Sequence, residues 1–257
     1  MEKKISFLSR KHTIRGWAHV PEIQEKAPVV IICHGFTGNC SEHGLFEDFA
    51  KQACEAGFYV LRIDCVGSGA SDGDFAENTY LGGWRDDILA ALDFASEQPE
   101  TDSKQMAAMG ISMGAAAALL TLADKRVRTA VGWAPVLYPA EVFHKILGDA
   151  NWVKLENGEK IHHEYAEVKF DVSPRFLQDI KQLSVEQAIR EGGKPALLCL
   201  GTADLVINPG FGSRMEALAL SQVIVRMVED ENHGFQVRKQ ENIEVTIDFL
   251  RSQLMDK

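Results

Sequence analysis

Apolar, β-branched runs alternate with amphipathic segments along most of the chain, and this alternation restricts the fold more than any other feature. Six runs are nearly continuously apolar, as strands covered on both faces are: residues 27–35, 58–64, 105–112, 127–135, 194–202 and 222–230. Segments with apolar residues at helical spacing lie between or after them, at 42–57, 84–98, 113–124, 210–220 and 240–254. The pattern favours an α/β fold with a doubly wound, mostly parallel sheet.

Two more strand-like segments stand at the start of the chain. Residues 4–10 and 13–20 are joined by a short polar turn, which predicts an antiparallel hairpin. With the six later runs, this predicts an eight-stranded, mostly parallel sheet that begins with an antiparallel N-terminal hairpin and carries helices on both faces.

The alternation breaks once, between Pro135 and about Gly193. That stretch is roughly twice as long as a simple crossover helix requires, so residues 136–193 are predicted to form a small inserted cap subdomain. The core is then residues 1–135 and 194–257. Within the cap, Asn157-Gly158 predicts a hairpin turn between two strand-like arms in residues 151–165, and Ser173-Pro174 predicts the start of a helix.

Composition narrows the function classes. The net charge of −10 over 257 residues disfavours nucleic acid or an anionic membrane as the main partner. The first residues lack the apolar centre of a secretory signal, and no apolar stretch approaches the length of a membrane span. Five cysteines without C-x-x-C spacing indicate buried thiols in a reducing compartment and no metal site, so we expect a cytoplasmic enzyme.

A serine stands between two glycines in Gly110-Ile111-Ser112-Met113-Gly114, after a predicted buried strand and before a predicted helix. This context is typical of a nucleophile elbow, in which the strained serine tops a tight turn. The N–H of Met113 at the helix start would then face a developing oxyanion. The alternative is a plain N-cap serine, which explains the hydroxyl group but leaves the paired glycines unexplained.

A serine nucleophile needs a base and an acid that orients the base. Asp204 follows a late apolar strand, and His233 follows the last one, as the chain order Ser, Asp, His requires. Asp204 could instead merely cap the turn before Pro209. Asp230 is closer to His233 in sequence, but we prefer Asp204 because its loop should lie beside the histidine loop at one end of the sheet.

The loop after residues 27–33 supplies a second oxyanion donor. His34-Gly35 allows the backbone to turn so that the N–H of Phe36 faces the serine. His34 itself is interpreted as a structural hydrogen-bonding residue.

Taken in order, "HGFTGN", "RIDCVGSGASDG", "GISMGA", "GTADLVINP" and "ENHGF" resemble the α/β-hydrolase superfamily, and most nearly its bacterial cinnamoyl/feruloyl esterases and related carboxylesterases. The resemblance implies the α/β-hydrolase fold and these roles: Ser112 as nucleophile, His233 as base, Asp204 as orienting acid, and Phe36 and Met113 as oxyanion donors. It also implies that the loop Asp64–Gly73 shapes the site and that the cap covers an aromatic acyl pocket.

The sequence departs from that family at the pocket. Cinnamoyl esterases often present a tyrosine from the cap helix, where this chain offers Phe176. Substitutes for that tyrosine are Tyr165, Asp149, Trp152 and the pair His162-His163. Trp133 is a candidate pocket wall, or alternatively a core tryptophan.

The function expected from these features is cleavage of carboxylic esters through an acyl-enzyme, without a cofactor or metal. The same triad serves short-chain acyl esterases, monoacylglycerol lipases, thioesterases, peptidases and acyltransferases, so these remain open. A non-catalytic ligand-binding protein on the same scaffold is the distant alternative. The expected partner is a small-molecule ester, and a homodimer is left open because an exposed aromatic cap could pack on a second copy.

Overall fold

Eight strands form one sheet in a computed structural model that describes residues 1–22, 25–165 and 167–255. Its strands, numbered along the chain with a separate two-stranded pair at β7 and β8, are β1 Glu2–Ser9, β2 His12–His19, β3 Ala27–Cys33, β4 Tyr59–Asp64, β5 Thr101–Ile111, β6 Val127–Trp133, β7 Ile161–Tyr165, β8 Val168–Val172, β9 Ala196–Gly201 and β10 Val223–Val228. The helices are α1 Leu45–Glu55, α2 Phe75–Asn78, α3 Leu81–Ser96, α4 Ser112–Leu120, α5 Pro139–Glu156, α6 Pro174–Gln182, α7 Val185–Gly192, α8 Gly210–Glu216 and α9 Lys239–Leu254. The predicted eight-stranded sheet is confirmed.

The strand order is β1-β2-β4-β3-β5-β6-β9-β10. The first two strands are antiparallel to each other, β2 is antiparallel to β4, and every later pairing is parallel. Arg10 and Lys11 both have positive φ at the turn between β1 and β2, as a two-residue type I′ hairpin requires. The predicted antiparallel start is therefore confirmed.

Helices cover both faces of the central parallel strands, and β3, β4 and β9 are buried along their whole length. The edge strand β10 differs from the expectation for residues 222–230, because Ile224 and Met227 are exposed. Neighbouring residues of β6 show the two faces. The Trp133 ring packs against Phe46 and Phe49 of α1, whereas a side chain at Gly132 would meet Ala115 of α4. Helix α9 lies with α1 on the first face, and α3 and α7 lie with α4 on the second.

The segment between β6 and β9 contains α5, the β7–β8 pair, α6 and α7. Helix α7 packs against α4 and the 3₁₀ turn Thr121–Ala123, so it is the crossover that returns the chain to the sheet. Helices α5 and α6 pack on each other, and β7 packs on α5. The division into a core and a cap at residues 136–193 remains a proposal. The last helix of that range, α7, packs on the core.

The hairpin predicted at Asn157-Gly158 is wrong. Residues 151–156 belong to α5, and Gly158, with φ of 83°, ends that helix while Glu159 N–H bonds back to Lys154 O at 2.9 Å. A left-handed glycine closes a helix as readily as it forms a hairpin turn, which explains the error. The helix predicted at Ser173-Pro174 is confirmed as α6. No helix in the described ranges has both the length and the hydropathy that a bilayer crossing needs.

Candidate active site

Ser112 lies at the turn where β5 ends and α4 begins, as the sequence predicted. Its φ of 54° is in the left-handed region, which is strained for a residue with a Cβ atom. Side chains in such positions are held by the surrounding structure, and here the surrounding structure is the sheet beneath and the helix beyond. The geometry is that of a nucleophile elbow.

The two flanking glycines are explained by close backbone packing. A Cβ atom at Gly114 would lie 2.1 Å from the carbonyl oxygen of His34, and one at Gly110 would lie 2.6 Å from that of Cys33. Both distances are far shorter than any real contact, so the turn can approach β3 this closely only with glycine on each side of the serine.

The structure brings Ser112, His233 and Asp204 together, although 121 residues separate the serine from the histidine in sequence. The Oγ of Ser112 is 3.2 Å from Nε2 of His233, and Nδ1 of His233 is 2.9 Å from Oδ2 of Asp204. Because the carboxylate can only accept, Nδ1 donates to it and Nε2 is left to accept the serine proton. The Asp204 side chain is 1% exposed and that of His233 is 29% exposed, so the carboxylate is shielded while the imidazole remains reachable.

Asp204 and Asp230, the two candidates for the acid that orients His233, lie in different environments. Asp204 does cap its own turn, since Oδ1 accepts from the backbone N–H groups of Val206 and Ile207, both at 2.8 Å. The same side chain also bonds His233 through Oδ2, so both interpretations of Asp204 hold geometrically. Asp230 instead has a side chain that is 75% exposed and faces Arg238 at 3.8 Å.

The loop that carries His233 rests on an aromatic stack. Phe235 lies parallel to Trp133 with 5.5 Å between ring centroids, and Trp133 donates from Nε1 to Thr246 at 3.0 Å. Trp133 has no accessible surface. The packing therefore supports the core interpretation of Trp133, beneath the histidine loop, over the pocket-wall interpretation.

Phe36 and Met113 were predicted to supply the two oxyanion donors. The Gly35 backbone is close enough that a Cβ atom there would lie 3.7 Å from that of Ser112, which places the following peptide beside the nucleophile. Across the described part of the chain, neither N–H has a hydrogen-bond partner. An oxyanion hole requires two donors without other partners, so the role of these N–H groups belongs to the proposal below.

His34 supports the loop between β3 and α1 from beneath. This loop carries Phe36 and is called the oxyanion loop after its proposed role. The His34 ring is fully buried, Nδ1 donates to the carbonyl oxygen of Gly35 at 2.8 Å, and Nε2 accepts from the N–H of Cys65 at 3.1 Å. Both nitrogens are thus used for structure, in keeping with the interpretation of His34. Asp64 has a comparable structural role at the start of the glycine-rich loop, residues 64–73. It accepts from the N–H group of Ala70 in that loop at 2.9 Å and from that of Cys40 at 2.6 Å.

Five phenylalanines form an aromatic cluster at the oxyanion loop. The Phe36 ring lies between 5.1 and 5.6 Å, centroid to centroid, from each of the other four: Phe75, Phe143, Phe170 and Phe176. Phe36 lies in the loop after β3, Phe75 is the first residue of α2, and the other three come from α5, β8 and α6. The cluster therefore joins the segment between β6 and β9 to the loop that carries Phe36. Sequence reasoning missed Phe75, Phe143 and Phe170, because they lie on three separate elements.

Of the six cap residues named for the pocket, Phe176 belongs to this cluster and His163 packs against it through Phe170. Asp149 has a side chain that is 97% exposed and pairs with His144 at 2.9 Å. Trp152 packs on the ring of His144, and Tyr165 is partly exposed on β7. Of the histidine pair, His162 bonds Asp171 at 2.7 Å, and His163 donates to the carbonyl oxygen of Ile146 at 2.9 Å while its ring packs on Phe170.

Two open cavities flank the site. One, of about 410 Å³, lies between the oxyanion loop, the glycine-rich loop and the β7–β8 pair, with Thr37, Ser68, Phe75 and Phe170 in its wall. The other, of about 430 Å³, lies between α5 and the acid loop, with Val142, Asp204 and Phe211 in its wall.

Comparison with known proteins gives a family match. Residues 24–164 match the family model described as serine aminopeptidase, S33. The "Uncharacterized 31.7 kDa protein in traX-finO intergenic region" of Escherichia coli is 33% identical over 113 residues, which is 44% of this chain and 38% of that protein. The polyketide transferase grgF of Penicillium sp is 31% identical over 126 residues, 49% of this chain and 42% of that protein. The matched segment thus spans only about two fifths of these relatives.

Among solved structures, Est1E from Butyrivibrio proteoclasticus, determined with ferulic acid bound, is similar over 97% of this chain and 98% of that one. The TM-score is 0.81 and the sequence identity is 22%. At that identity the likeness concerns the fold, and it extends through the segment between β6 and β9.

Proposed function

Because the chain belongs to the α/β-hydrolases of the serine aminopeptidase S33 family, we propose that it is a serine hydrolase that cleaves carboxylic esters through an acyl-enzyme. The observation that carries this proposal is the chain of hydrogen bonds from Asp204 through His233 to Ser112, on a serine held in left-handed conformation.

The reaction follows from which atom can donate to which. Ser112 Oγ attacks the ester carbonyl as its proton passes to His233 Nε2, and the tetrahedral intermediate collapses when that proton goes to the departing alcohol. Water then attacks the acyl-enzyme, losing its proton to Nε2, and the acid leaves as His233 returns that proton to Ser112 Oγ. Asp204 holds the imidazole tautomer and stabilises its charged form in both steps.

The negative oxygen of each intermediate would be bound by the N–H groups of Phe36 and Met113. Loss of one such donor typically costs about 3–4 kcal/mol of transition-state stabilisation. Met113 lies in the first turn of α4, where the helix dipole adds to the favourable field.

We further propose an aromatic acyl group of the cinnamoyl type. The phenylalanine cluster on Phe36 supports it, since ring edges beside the oxyanion donor suit a flat apolar acyl chain. The likeness in fold to an esterase solved with ferulic acid agrees with this. Phe176 offers no hydroxyl group, so we expect no preference for a phenolic ring over an unsubstituted one.

A short-chain acyl esterase is the second candidate, and one observation favours it. Phe143 and Phe176 are 2% and 1% exposed, with 4.7 Å between ring centroids, so the cluster is closely packed. An aromatic acyl group needs these rings to move apart, whereas a short acyl chain needs less room. Monoacylglycerol and thioester substrates remain alternatives on the same triad.

Turnover of methyl cinnamate, methyl ferulate and p-nitrophenyl butyrate by the purified protein, with S112A as the blank, tests the proposal. Similar kcat/KM for cinnamate and ferulate, both above butyrate, supports the cinnamoyl type. Activity on butyrate alone supports the short-chain candidate. Ester hydrolysis that S112A retains in full contradicts the serine mechanism altogether.

A further inference from the structure

Glu231 is a fully buried carboxylate, two residues before His233, that takes no part in the chemistry described above. Four hydrogen bonds end on it. Oε1 accepts from the backbone N–H groups of Asn232 at 3.1 Å and Val237 at 3.0 Å. Oε2 accepts from the backbone N–H of Arg238 at 2.8 Å and from Nδ2 of Asn242 at 2.9 Å.

These partners lie at both ends of the loop that carries His233. Asn232 precedes the histidine directly, whereas Val237 and Arg238 follow it at the start of α9. One carboxylate therefore ties the beginning of the loop to its end, and His233 projects from a segment that is closed by a single side chain.

Among the described residues, no salt bridge reaches Glu231. The neighbouring guanidinium groups pair elsewhere, that of Arg226 with Asn242 and Glu241, and that of Arg238 with Asp230 and Glu241. The carboxylate instead lies just before the N-terminus of α9, where it accepts from the N–H groups of Val237 and Arg238 and where the helix dipole favours an anion. A buried charge held in this way is costly to disturb, which makes the loop stiff.

The backbone of Glu231 reaches the acid loop. Its carbonyl oxygen accepts from the N–H of Ala203, the residue before Asp204, at 3.0 Å. A Cβ atom at Gly201 would lie 2.2 Å from that same oxygen, so this contact depends on glycine at the end of β9. Glu231 thus touches both the loop that carries the base and the loop that carries the acid.

We infer that Glu231 is a positioning residue, which sets His233 at hydrogen-bonding distance from both Ser112 and Asp204. The inference rests on the proposed function, because it assigns the carboxylate to the same serine hydrolase chemistry. It predicts that Glu231 acts on the rate of the chemical steps and leaves substrate binding largely unchanged.

The substitution E231Q tests this role, because glutamine has the size of glutamate but replaces one of the two acceptor oxygens by an NH₂ group. Each carboxylate oxygen now accepts from two donors, whereas the NH₂ group of a glutamine would face two donors with hydrogen atoms of its own. The loop must open at one end, and misplacement of a catalytic group by about 1 Å can lower the rate about 100-fold.

The test compares E231Q with E229Q, the same change two residues earlier at an exposed residue whose backbone, but not its side chain, contacts Arg238. Two readouts are taken at a temperature at which circular dichroism shows each protein folded: kcat and KM on the best ester, and the rate of inactivation by a fluorophosphonate. For E231Q we expect kcat and the inactivation rate to fall by about 10- to 100-fold with KM within about twofold, because the nucleophile is activated less well. E229Q should match the wild type in both.

A folded E231Q with wild-type kcat and wild-type inactivation rate overturns the inference, as does a rise in KM that accounts for the whole loss. If E231Q does not fold, N242A decides, because it removes one of the four donors to Glu231 together with the acceptor for Arg226. Lower kcat at unchanged KM supports the role, and unchanged kcat overturns it. A wild-type protein that neither reacts with the probe nor hydrolyses any ester contradicts the proposed function itself, so the two failures are distinguishable.

Discussion

Asp204 uses its two carboxylate oxygens for two different purposes. Oδ1 fixes the turn through the N–H groups of Val206 and Ile207, and Oδ2 accepts from His233. A rigid turn and an oriented imidazole therefore depend on one buried side chain. This explains why a residue that looks like a simple turn cap in sequence also has the position of a triad acid.

Replacing that acid by its amide should abolish most activity while leaving the fold intact. In D204N the side-chain amide can present an N–H to Nδ1 of His233, which favours the tautomer that cannot accept the serine proton. We expect kcat to fall by about 10²- to 10⁴-fold. Steady-state kinetics on the best ester, with folding checked by circular dichroism, measure the effect.

D230N is the matched control, because Asp230 is three residues from His233 and its side chain is 75% exposed. It should keep kcat within about twofold of the wild type, as surface substitutions usually do. Equal losses in both variants would mean that Asp204 is not the orienting acid.

Among individual residues, the sequence predicted those that lie in short, recognisable segments. Ser112 is marked by its two glycines, and Asp204 and His233 by their places after late strands. The cluster partners Phe75, Phe143 and Phe170 carry no such mark, because aromatic residues are common in any core. Their meeting at Phe36 depends on how separate elements pack.

Among the elements, α5 shows where local patterns mislead. Gly148, with φ of 76° and ψ of 162°, interrupts the helix, and Gly158 ends it. Gly158, which was predicted to form a hairpin turn, instead lies at the end of a helix. The hairpin in this segment is instead formed by β7 and β8. No Asn-Gly pair lies between these two strands, so a search for turn-forming residues could not locate it.

The β7–β8 pair should depend on Phe170 for its docking. A two-stranded hairpin is marginally stable alone, and Phe170 is its contribution to the aromatic cluster. In F170A we expect trypsin to cut after Lys160 and Lys169 at least about ten times faster, which corresponds to a local loss of about 1.4 kcal/mol. Limited proteolysis followed by mass spectrometry measures these rates.

V168A is the control, on the same strand and with a side chain that is 43% exposed. Its cleavage rates should stay near those of the wild type. If F170A and V168A are cut equally slowly, the cluster does not hold the hairpin.

For the whole molecule, the alternation of strands and helices was sufficient to predict the sheet, its antiparallel start and its two helical faces. It could not give the strand order, in which β4 stands between β2 and β3, because that depends on which way each crossover turns. Nor did it show that α7 packs on α4, since a crossover helix and a cap helix have the same amphipathic pattern.

Global stability should decline in mild acid because of a histidine far from the site in sequence. Burial, together with the nearby Arg62 guanidinium, lowers the pKa of His19 to about 4. The unfolded chain, with a pKa near 6.5, binds the proton first, so folding stability is lost as pH falls from about 6.5 to about 4. Between about pH 7 and pH 5 this contributes a loss of about 2 kcal/mol.

H19Q should lack that loss, because glutamine does not titrate and its oxygen can still accept from Arg62. Urea unfolding of the wild type and H19Q at the two pH values measures the difference in free energy of unfolding. H162Q, at a histidine whose side chain is 68% exposed, should behave as the wild type does. Identical pH dependence in the wild type and H19Q would refute the role of His19.

We propose that Ser112 reacts as a nucleophile that His233 activates. Intact-protein and peptide mass spectrometry after treatment with a fluorophosphonate, which loses fluoride as it phosphonylates an activated serine, tests this most directly. We predict one adduct per chain, on the peptide containing Ser112, none in S112A and a rate at least about 100-fold lower in H233A. An adduct on another residue, or labelling that proceeds equally well without His233, would contradict the account.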